Sequence, residues 1–295
     1  MDQVIGGLAA LGSAALFALA SIFFRRLGER ITPVGVNFGK GAIAVLLTAA
    51  VLALNGMSDV PAKEAVLLAV SGLLGITLGD TAYFAALNRL GPRRTLVLDA
   101  LSPVATALLA IAVLGERLDA AECMGIALTI GGVSWVLRER LDDSGEESAI
   151  SSYRQAVLWG VLAVACHAVG VVVSKVALDV VPALEASLVR QVAGLAGLGF
   201  YAAVTRRLVS SFAPLRERQN LGLLLAASFC GTFLGIWFSL VALRLTTASV
   251  ATTLNSTGPI FILPLVWLIE GERISGRALV GSTIAVSGVA VLLLA

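Results

Sequence analysis

Charge is scarce in this chain. Asp, Glu, Lys and Arg make up 14% of its 295 residues, against about 25% in an average soluble protein. Hydrophobic residues fill 58%, more than a soluble fold of this length can hide, so lipid is the expected solvent. The net charge of +2 is near neutral, which argues against a nucleic-acid partner, since that usually demands a clustered basic face. His167 is the only histidine, and one imidazole does not make a metal site. The three cysteines, Cys123, Cys166 and Cys230, lie far apart in apolar runs. They read as small packing residues rather than a disulfide framework or a metal cluster. Aromatic residues are 6% of the chain, so no dense aromatic cage is indicated. No G-x-x-x-x-G-K-[ST] loop is present, so nothing points to ATP-driven chemistry, and no cofactor is expected. A cleavable signal peptide is not expected either. The first apolar run follows Asp2 and is followed by Arg25-Arg26, the reverse of a secretory signal's polarity. Residues 3–24 read as a retained anchor.

Apolar runs are what the chain has in quantity. A spanning helix needs about 20 mostly apolar residues. Such runs fall near 3–24, 34–54, 65–87, 95–114, 120–138, 156–176, 183–205, 221–243, 248–268 and 277–294. They predict ten transmembrane helices, because lipid offers the backbone no hydrogen bonds and closed barrels read as alternating strands. The joints are short and carry breakers, among them Thr32-Pro33, Gly91-Pro92 and Val181-Pro182. The one long polar stretch, 139–155, reads as a solvated linker.

That linker divides a repeat, 1–138 from 156–295. A shift of 156 places Gly75 and Gly79 on Gly231 and Gly235, and Pro103 on Pro259. The same register puts Gly115-Glu116-Arg117 on Gly271-Glu272-Arg273, and Gly125 and Gly132 on Gly281 and Gly288. A shift of about 150 puts Lys40 on Arg190. Five helices per half is an odd number, so the second half enters the membrane inverted, as in many secondary transporters. Loops after the odd-numbered helices hold fifteen Lys and Arg residues and the other side holds four. The positive-inside rule then places the linker in the cytoplasm and both termini outside.

The paired motifs resemble the EamA type of the drug/metabolite transporter superfamily. Ser102-Pro103 followed by Gly115-Glu116-Arg117, and Gly258-Pro259 followed by Gly271-Glu272-Arg273, carry the likeness over essentially the whole chain. The resemblance implies secondary transport by alternating access around a central cavity, with a small metabolite such as an amino acid as substrate and export as direction. It implies a bacterial or archaeal inner membrane, no enzymatic activity, and a monomer or homodimer in contact with lipid. Many members of this type have both termini in the cytoplasm, and here the charge bias says the reverse.

Charged groups inside a membrane are expensive and usually functional. Lys40, Asp80, Asp99 and Arg190 stand out, and their formal charges sum to zero. At 1.5 Å per residue, Lys40, Asp80 and Asp99 lie at a similar depth, roughly 6–10 Å from the cytoplasmic side. Lys40 is expected to neutralise one aspartate in a proton or substrate-amine site; alternatively it snorkels and the aspartates hold helix ends. Arg190 suits a substrate carboxylate or phosphate, or a structural helix-end contact. Asn255, the repeat mate of Asp99, lies near the depth of Arg190 and is expected to contact it. His167 reads as packing or cavity lining, with proton coupling as the sharper reading. Tyr83, Trp237, Asn37, Gln191, Ser256 and Thr257 are candidate cavity-lining residues. Gly75-x-x-x-Gly79 and Gly231-x-x-x-Gly235 predict close internal helix packing. Glu116 and Glu272 are expected to meet arginines at the membrane surface. Two further functions stay open. One is a lipid or lipid-linked-substrate flippase. The other is an intramembrane aspartyl protease, although the residues around Asp80 and Asp99 depart from that enzyme's motifs.

Overall fold

The computed structural model describes residues 2–99, 101–115, 118–137, 147–205, 218–270 and 276–294. Every regular element among them is helical: α1 (Asp2–Gly28), α2 (Pro33–Asn55), α3 (Ala62–Gly72), π1 (Leu73–Asp80), α4 (Thr81–Asp99), α5 (Ser102–Leu114), α6 (Ala120–Leu137), α7 (Glu147–Leu178), α8 (Ala183–Val204), α9 (Arg218–Ala227), π2 (Ser228–Gly235), α10 (Ile236–Leu245), α11 (Ala248–Asn255), α12 (Gly258–Glu270) and α13 (Gly276–Leu294). Six described stretches are long and apolar enough to cross a membrane: Asp2–Gly28, Pro33–Asn55, Ala62–Leu90, Tyr153–Leu178, Ala183–Val204 and Asn220–Leu245.

Local chemistry explains the helix starts. The Thr32 hydroxyl accepts from the Gly35 amide at 3.2 Å, and Pro33 occupies the first turn of α2. A proline there removes only an amide that the helix leaves unpaired. Thr247 caps α11 in the same way, accepting from Val250 N at 3.3 Å. At the other end of α5, Gly115 takes a left-handed φ of 68°, which glycine adopts without steric cost.

Two expected spans are broken. The fourth run, 95–114, and the ninth, 248–268, are each expected as one helix. In the structure the helix containing Gly91-Pro92 continues to Asp99, and a new one starts at Ser102. Likewise α11 stops at Asn255 and α12 begins at Gly258. Pro103 and Pro259 sit in the first turn after each break. They have no amide to donate backward and they disfavour helical backbone just before them. Gly91-Pro92 is not the joint that the sequence suggests.

Apolar residues face outward as well as inward. Leu46, Leu54, Phe200 and Leu268 are exposed by 70–87% of their surface, while Ser13, Asn37, Thr48, Ser71, Ser174 and Gln191 are buried. An apolar exterior, around an apolar core that also admits buried polar side chains, is what a lipid solvent selects. Helix packing is mirrored along the chain. α1 packs against π2 and α10, while α7 packs against α3, π1 and α4. α2 meets α8, and α6 meets α13. The α6–α13 crossing is backbone on backbone: a Cβ on Gly132 would stand 2.6 Å from Gly281 O, and one on Gly288 would stand 2.8 Å from Gly125 O. Small residues make such approach possible.

The π segments fall at matching places and carry the two Gly-x-x-x-Gly motifs. A π turn widens the helix and loosens its carbonyls from the usual partners. Side-chain amides from α2 and α8 take two of those carbonyls. Asn37 Nδ2 donates to Ile76 O at 2.7 Å, and Gln191 Nε2 donates to Thr232 O at 3.4 Å.

Candidate functional site

The broken helices and the π segments meet at a cavity of about 270 Å³. α1 lines it with Phe17, Ser21 and Phe24; α2 brings Lys40; π1 brings Asp80; and α4 brings Tyr83, Phe84, Leu87 and, at its end, Asp99. Ser102 and Thr106 come from α5, His167 from α7 and Arg190 from α8. Ser239 and Leu240 of α10, Asn255 of α11, Ser256 after it, and Ile262 of α12 complete the wall. Residues far apart in sequence thus converge on one cavity in which charged and hydroxyl groups are set among apolar side chains.

Charge inside this space is arranged in contacts. Lys40 Nζ lies 2.5 Å from Asp80 Oδ2, with the ammonium 5.4 Å from the centre of the Phe84 ring. Asp80's other oxygen lies 3.1 Å from His167 Nε2. One carboxylate therefore holds a lysine and a histidine. Glycine makes the second contact possible, since a Cβ at Gly79 would stand 2.8 Å from His167 Nε2. The mirrored glycines behave alike: a Cβ on Gly231 would meet Ala20 at 2.6 Å, and one on Gly235 would meet Phe17 at 3.1 Å. The predicted Gly-x-x-x-Gly seams are internal helix contacts.

Asp99 is elsewhere on the wall, its Oδ1 accepting from Ser102 Oγ at 3.1 Å across the α4–α5 break. Arg190 Nη1 donates to Ser174 Oγ. Ser174 Oγ also donates to Gly170 O at 2.5 Å and lies 2.8 Å from Ser71 Oγ. A hydroxyl cluster between α3 and α7 thus anchors the guanidinium. Asn255 Nδ2 donates to Ser239 Oγ at 2.8 Å, so Ser239 rather than Arg190 is its partner. Arg190 Nε, Asn255 Oδ1 and Thr106 Oγ1 are buried without a hydrogen-bond partner among the described residues, and all three residues line the cavity. Buried polar groups are normally paired, so such exceptions call for an explanation.

The other candidates are dispersed. Trp237 lies outside the cavity wall, in ring contact with Phe233 at 6.1 Å and Phe238 at 6.0 Å. Asn37 and Gln191 serve the π-segment carbonyls. Thr257 is buried and donates to Leu254 O at 2.7 Å. Pro103 is buried at the start of α5 and Gly115 caps its end. Pro259 lies in the first turn of α12. Glu116, Arg117, Gly271, Glu272 and Arg273 lie outside the described residues, and the Glu–Arg contacts expected at the membrane surface lie with them.

Sequence reasoning missed Thr106, Ser174 and Ser239. Each is a lone hydroxyl in an apolar run, and lipid-buried hydroxyls usually bond a carbonyl of their own helix. The available signal was spacing: Thr106 follows Ser102 by one turn, on the same helix face.

The EamA-like transporter family matches residues 4–138 and again residues 154–294. An uncharacterized transporter in the cobO 3' region of a Sinorhizobium species is 31% identical over 127 residues, which are 42% of this chain and 89% of that protein. One protein of known crystal structure superposes with a TM-score of 0.79 at 18% identity, covering 98% of this chain and 95% of its own, and so shares the fold. An all-helical, apolar-surfaced chain matched along nearly its whole length in this way is a multi-pass membrane transporter of the drug/metabolite type, and it belongs to the EamA-like transporter family.

Proposed function

We propose that this protein is a secondary carrier that exports a small metabolite of amino-acid size across the cell's inner membrane by alternating access. In this reading the chain is two inverted five-helix units, 1–138 and 156–295, joined by the stretch 139–155, of which residues 147–155 already belong to α7 rather than to a solvated linker. The lysine and arginine bias supports a cytoplasmic position for that stretch and an outside position for both termini. The mirrored contacts of α1 with π2 and α10, and of α7 with π1 and α4, support the repeat reading. The broken helices at Asp99 and Asn255 support the transporter reading, because interrupted helices at the repeat interface are where such carriers bind substrate.

The observation that carries the proposal is the cavity. It lies just under the roughly 300–1,000 Å³ range of drug-sized ligand sites, gathers Lys40, Asp80, Asp99, Arg190 and His167, and sets them among hydroxyl, amide and apolar side chains. This size suits a small metabolite better than a lipid. The arrangement also speaks against an aspartyl protease, whose two carboxylates share one proton: Asp80 is held by Lys40 and His167, and Asp99 by Ser102. The contact between Asp80 and His167 supports proton coupling, since an imidazole beside a carboxylate is suited to proton exchange near neutral pH.

The test is flux in proteoliposomes loaded with a labelled metabolite mixture, with and without an imposed pH gradient, beside vesicles carrying labelled lipid. Protein-dependent movement of an amino acid or similar solute, accelerated by the gradient, is expected. Movement of lipid alone, or of nothing, refutes the reading.

A further inference from the structure

The crossing of a π segment with a long helix occurs twice in this chain. Gly75 and Gly79 of π1 face Gly170 and His167 of α7, while Gly231 and Gly235 of π2 face Ala20 and Phe17 of α1. The repeat offsets relate these partners residue by residue, 156 for the π segments and 150 for the helices. The chemistry of the two crossings differs. Asp80 follows Gly79, whereas Ile236 follows Gly235. An imidazole and a carboxylate thus stand in one copy where a phenyl ring and an isoleucine stand in the other. The apolar copy shows that the crossing packs without ions. Charge inside a membrane is expensive, so its presence in one copy alone calls for a purpose other than packing.

Hydrogen bonding fixes which atom can exchange a proton. Asp80 Oδ2 holds the Lys40 ammonium at 2.5 Å, and Oδ1 lies 3.1 Å from His167 Nε2. An ionised carboxylate only accepts. Nε2 therefore carries its hydrogen in both states of the ring, and Asp80 sets the tautomer. Nδ1 makes no hydrogen bond among the described residues, so it is the atom left to gain and lose a proton. Water can reach the ring, since His167 keeps 26% of its side-chain surface exposed, against 7% for Lys40. Asp99 and Tyr83 of α4 and Arg190 of α8 share the cavity wall with it, and Cys166 adjoins it on α7. The other charged groups on α7 and its neighbours lie toward helix ends. Arg89 of α4 is taken by Gln155 near the start of α7. Lys63 and Glu64 of α3 and Glu185 of α8 sit in first turns, and Lys175 of α7 and Arg244 of α10 in last turns. α5 and α11 carry no titratable side chain. With the ring neutral, the charges of Lys40, Arg190, Asp80 and Asp99 sum to zero.

We propose that His167 is the binding site of the coupling proton. Nε2–H stays on Asp80, and Nδ1 takes up one proton from the cavity and gives it back in each transport cycle. In its charged state the ring adds an ion pair to the hydrogen bond with Asp80, which favours the arrangement in which α7 touches π1. A bound species shifts a conformational equilibrium only through its differential affinity for the two states, and this crossing supplies the difference. Phe17 cannot titrate, so the mirror crossing does not respond and one proton is carried, not two. Lys40 keeps Asp80 ionised and is not a carrier itself.

This proposal rests on the carrier reading, and two measurements keep them apart. His167 is the only histidine, so wild-type protein isotopically labelled in its histidine nitrogens shows one imidazole by NMR and needs no substrate. In lipid nanodiscs, Nε2 is expected to stay protonated while Nδ1 alone gains a proton in one step between about pH 5 and 8. The second measurement uses proteoliposomes held at zero membrane potential and a labelled amino-acid mixture. A gradient of one pH unit concentrates a solute up to about ten-fold when one proton moves per solute, and about a hundred-fold for two. Wild type is expected to approach the ten-fold limit. His167→Gln keeps an N–H for Asp80 without titrating, and His167→Phe copies the mirror residue. Gradient-driven accumulation is expected to vanish in both, with thermal melts reporting their folding; the NMR titration stands whether or not either variant folds. A ring protonated first on Nδ1, or one that does not titrate in that range, overturns the proton site and leaves the carrier standing. So does accumulation that survives in either folded variant, accumulation near a hundred-fold in the wild type, or wild-type flux that never runs uphill. No protein-dependent flux of any solute overturns both.

Discussion

Asp80→Asn should destabilise this protein more than any other single change in the cavity wall. Lys40 is 6% exposed, and its ammonium lies 2.5 Å from the Asp80 carboxylate. At an effective dielectric constant of about 20, that separation corresponds to an attraction of about 7 kcal/mol. Removing both ions from water costs several kcal/mol each, so the pair as a whole contributes little net stability. Deleting one partner is different, because the other ion stays buried without compensation, at a cost of about 3–5 kcal/mol. Asp80→Asn leaves Lys40 with only the face of Phe84 nearby at 5.4 Å, a contact worth about 0.5–2 kcal/mol. Lys40→Met should cost less, since His167 still holds Asp80 at 3.1 Å. The double variant Lys40→Met/Asp80→Asn carries no orphaned ion at this place. It should return to within about 1 kcal/mol of the unaltered protein, the signature of strong coupling between neighbours. Thermal unfolding in a mild detergent reads the series, and Asp80→Asn should lower Tm by roughly 10 °C. If the single variant loses less than about 1 kcal/mol, or if the double variant is the least stable of the three, the Lys40–Asp80 pair does not exist as described.

Three other outcomes follow from the geometry. Asn37→Leu strips the Ile76 carbonyl and the Thr81 hydroxyl of bonds at 2.7 and 3.0 Å. It should cost about 1–3 kcal/mol, and a loss below about 0.5 kcal/mol in chemical denaturation would refute the π-segment role. Gly132→Ala places a Cβ 2.6 Å from Gly281 O and 2.8 Å from Ala285 Cα, both backbone atoms that cannot swing aside. It should abolish monodisperse protein on size-exclusion chromatography in detergent, and a normal elution profile contradicts the crossing. Ser174→Ala removes the hydroxyl that holds Arg190 Nη1 and should raise KM for a carboxylate-bearing substrate about ten-fold, or about 1.4 kcal/mol, with maximal rate retained; an unchanged KM would show that Ser174 does not position Arg190.

Much of the cavity was legible from the sequence. Lys40, Asp80, Asp99 and Arg190 are conspicuous because ionic groups are so rare in apolar runs, and the structure lines one cavity with all four. His167, Tyr83 and Asn255 join them. Trp237 does not, because an aromatic residue in an apolar helix has no signature that separates cavity lining from packing. Partner choice was also beyond reach. Lys40 could meet either aspartate by depth alone, and rotation about the helix axes, set by side-chain packing, gives it Asp80. Asn255 turned to Ser239 for the same reason.

The helix breaks mark the boundary between the two kinds of information. Hydropathy within each run, and the recurrence of Gly75, Gly79 and Pro103 at Gly231, Gly235 and Pro259, are properties of the chain taken locally. They determined by themselves that this is a helical membrane chain with a repeated pattern, because a backbone in lipid has few ways to satisfy its hydrogen bonds. Which proline interrupts its helix is not local. Gly91-Pro92 is carried through α4 while Pro103 follows a break, since freed backbone groups are tolerated only where neighbouring helices or a polar cavity can take them. Tertiary structure alone decided that, and with it which polar groups face one another and which are left unmatched.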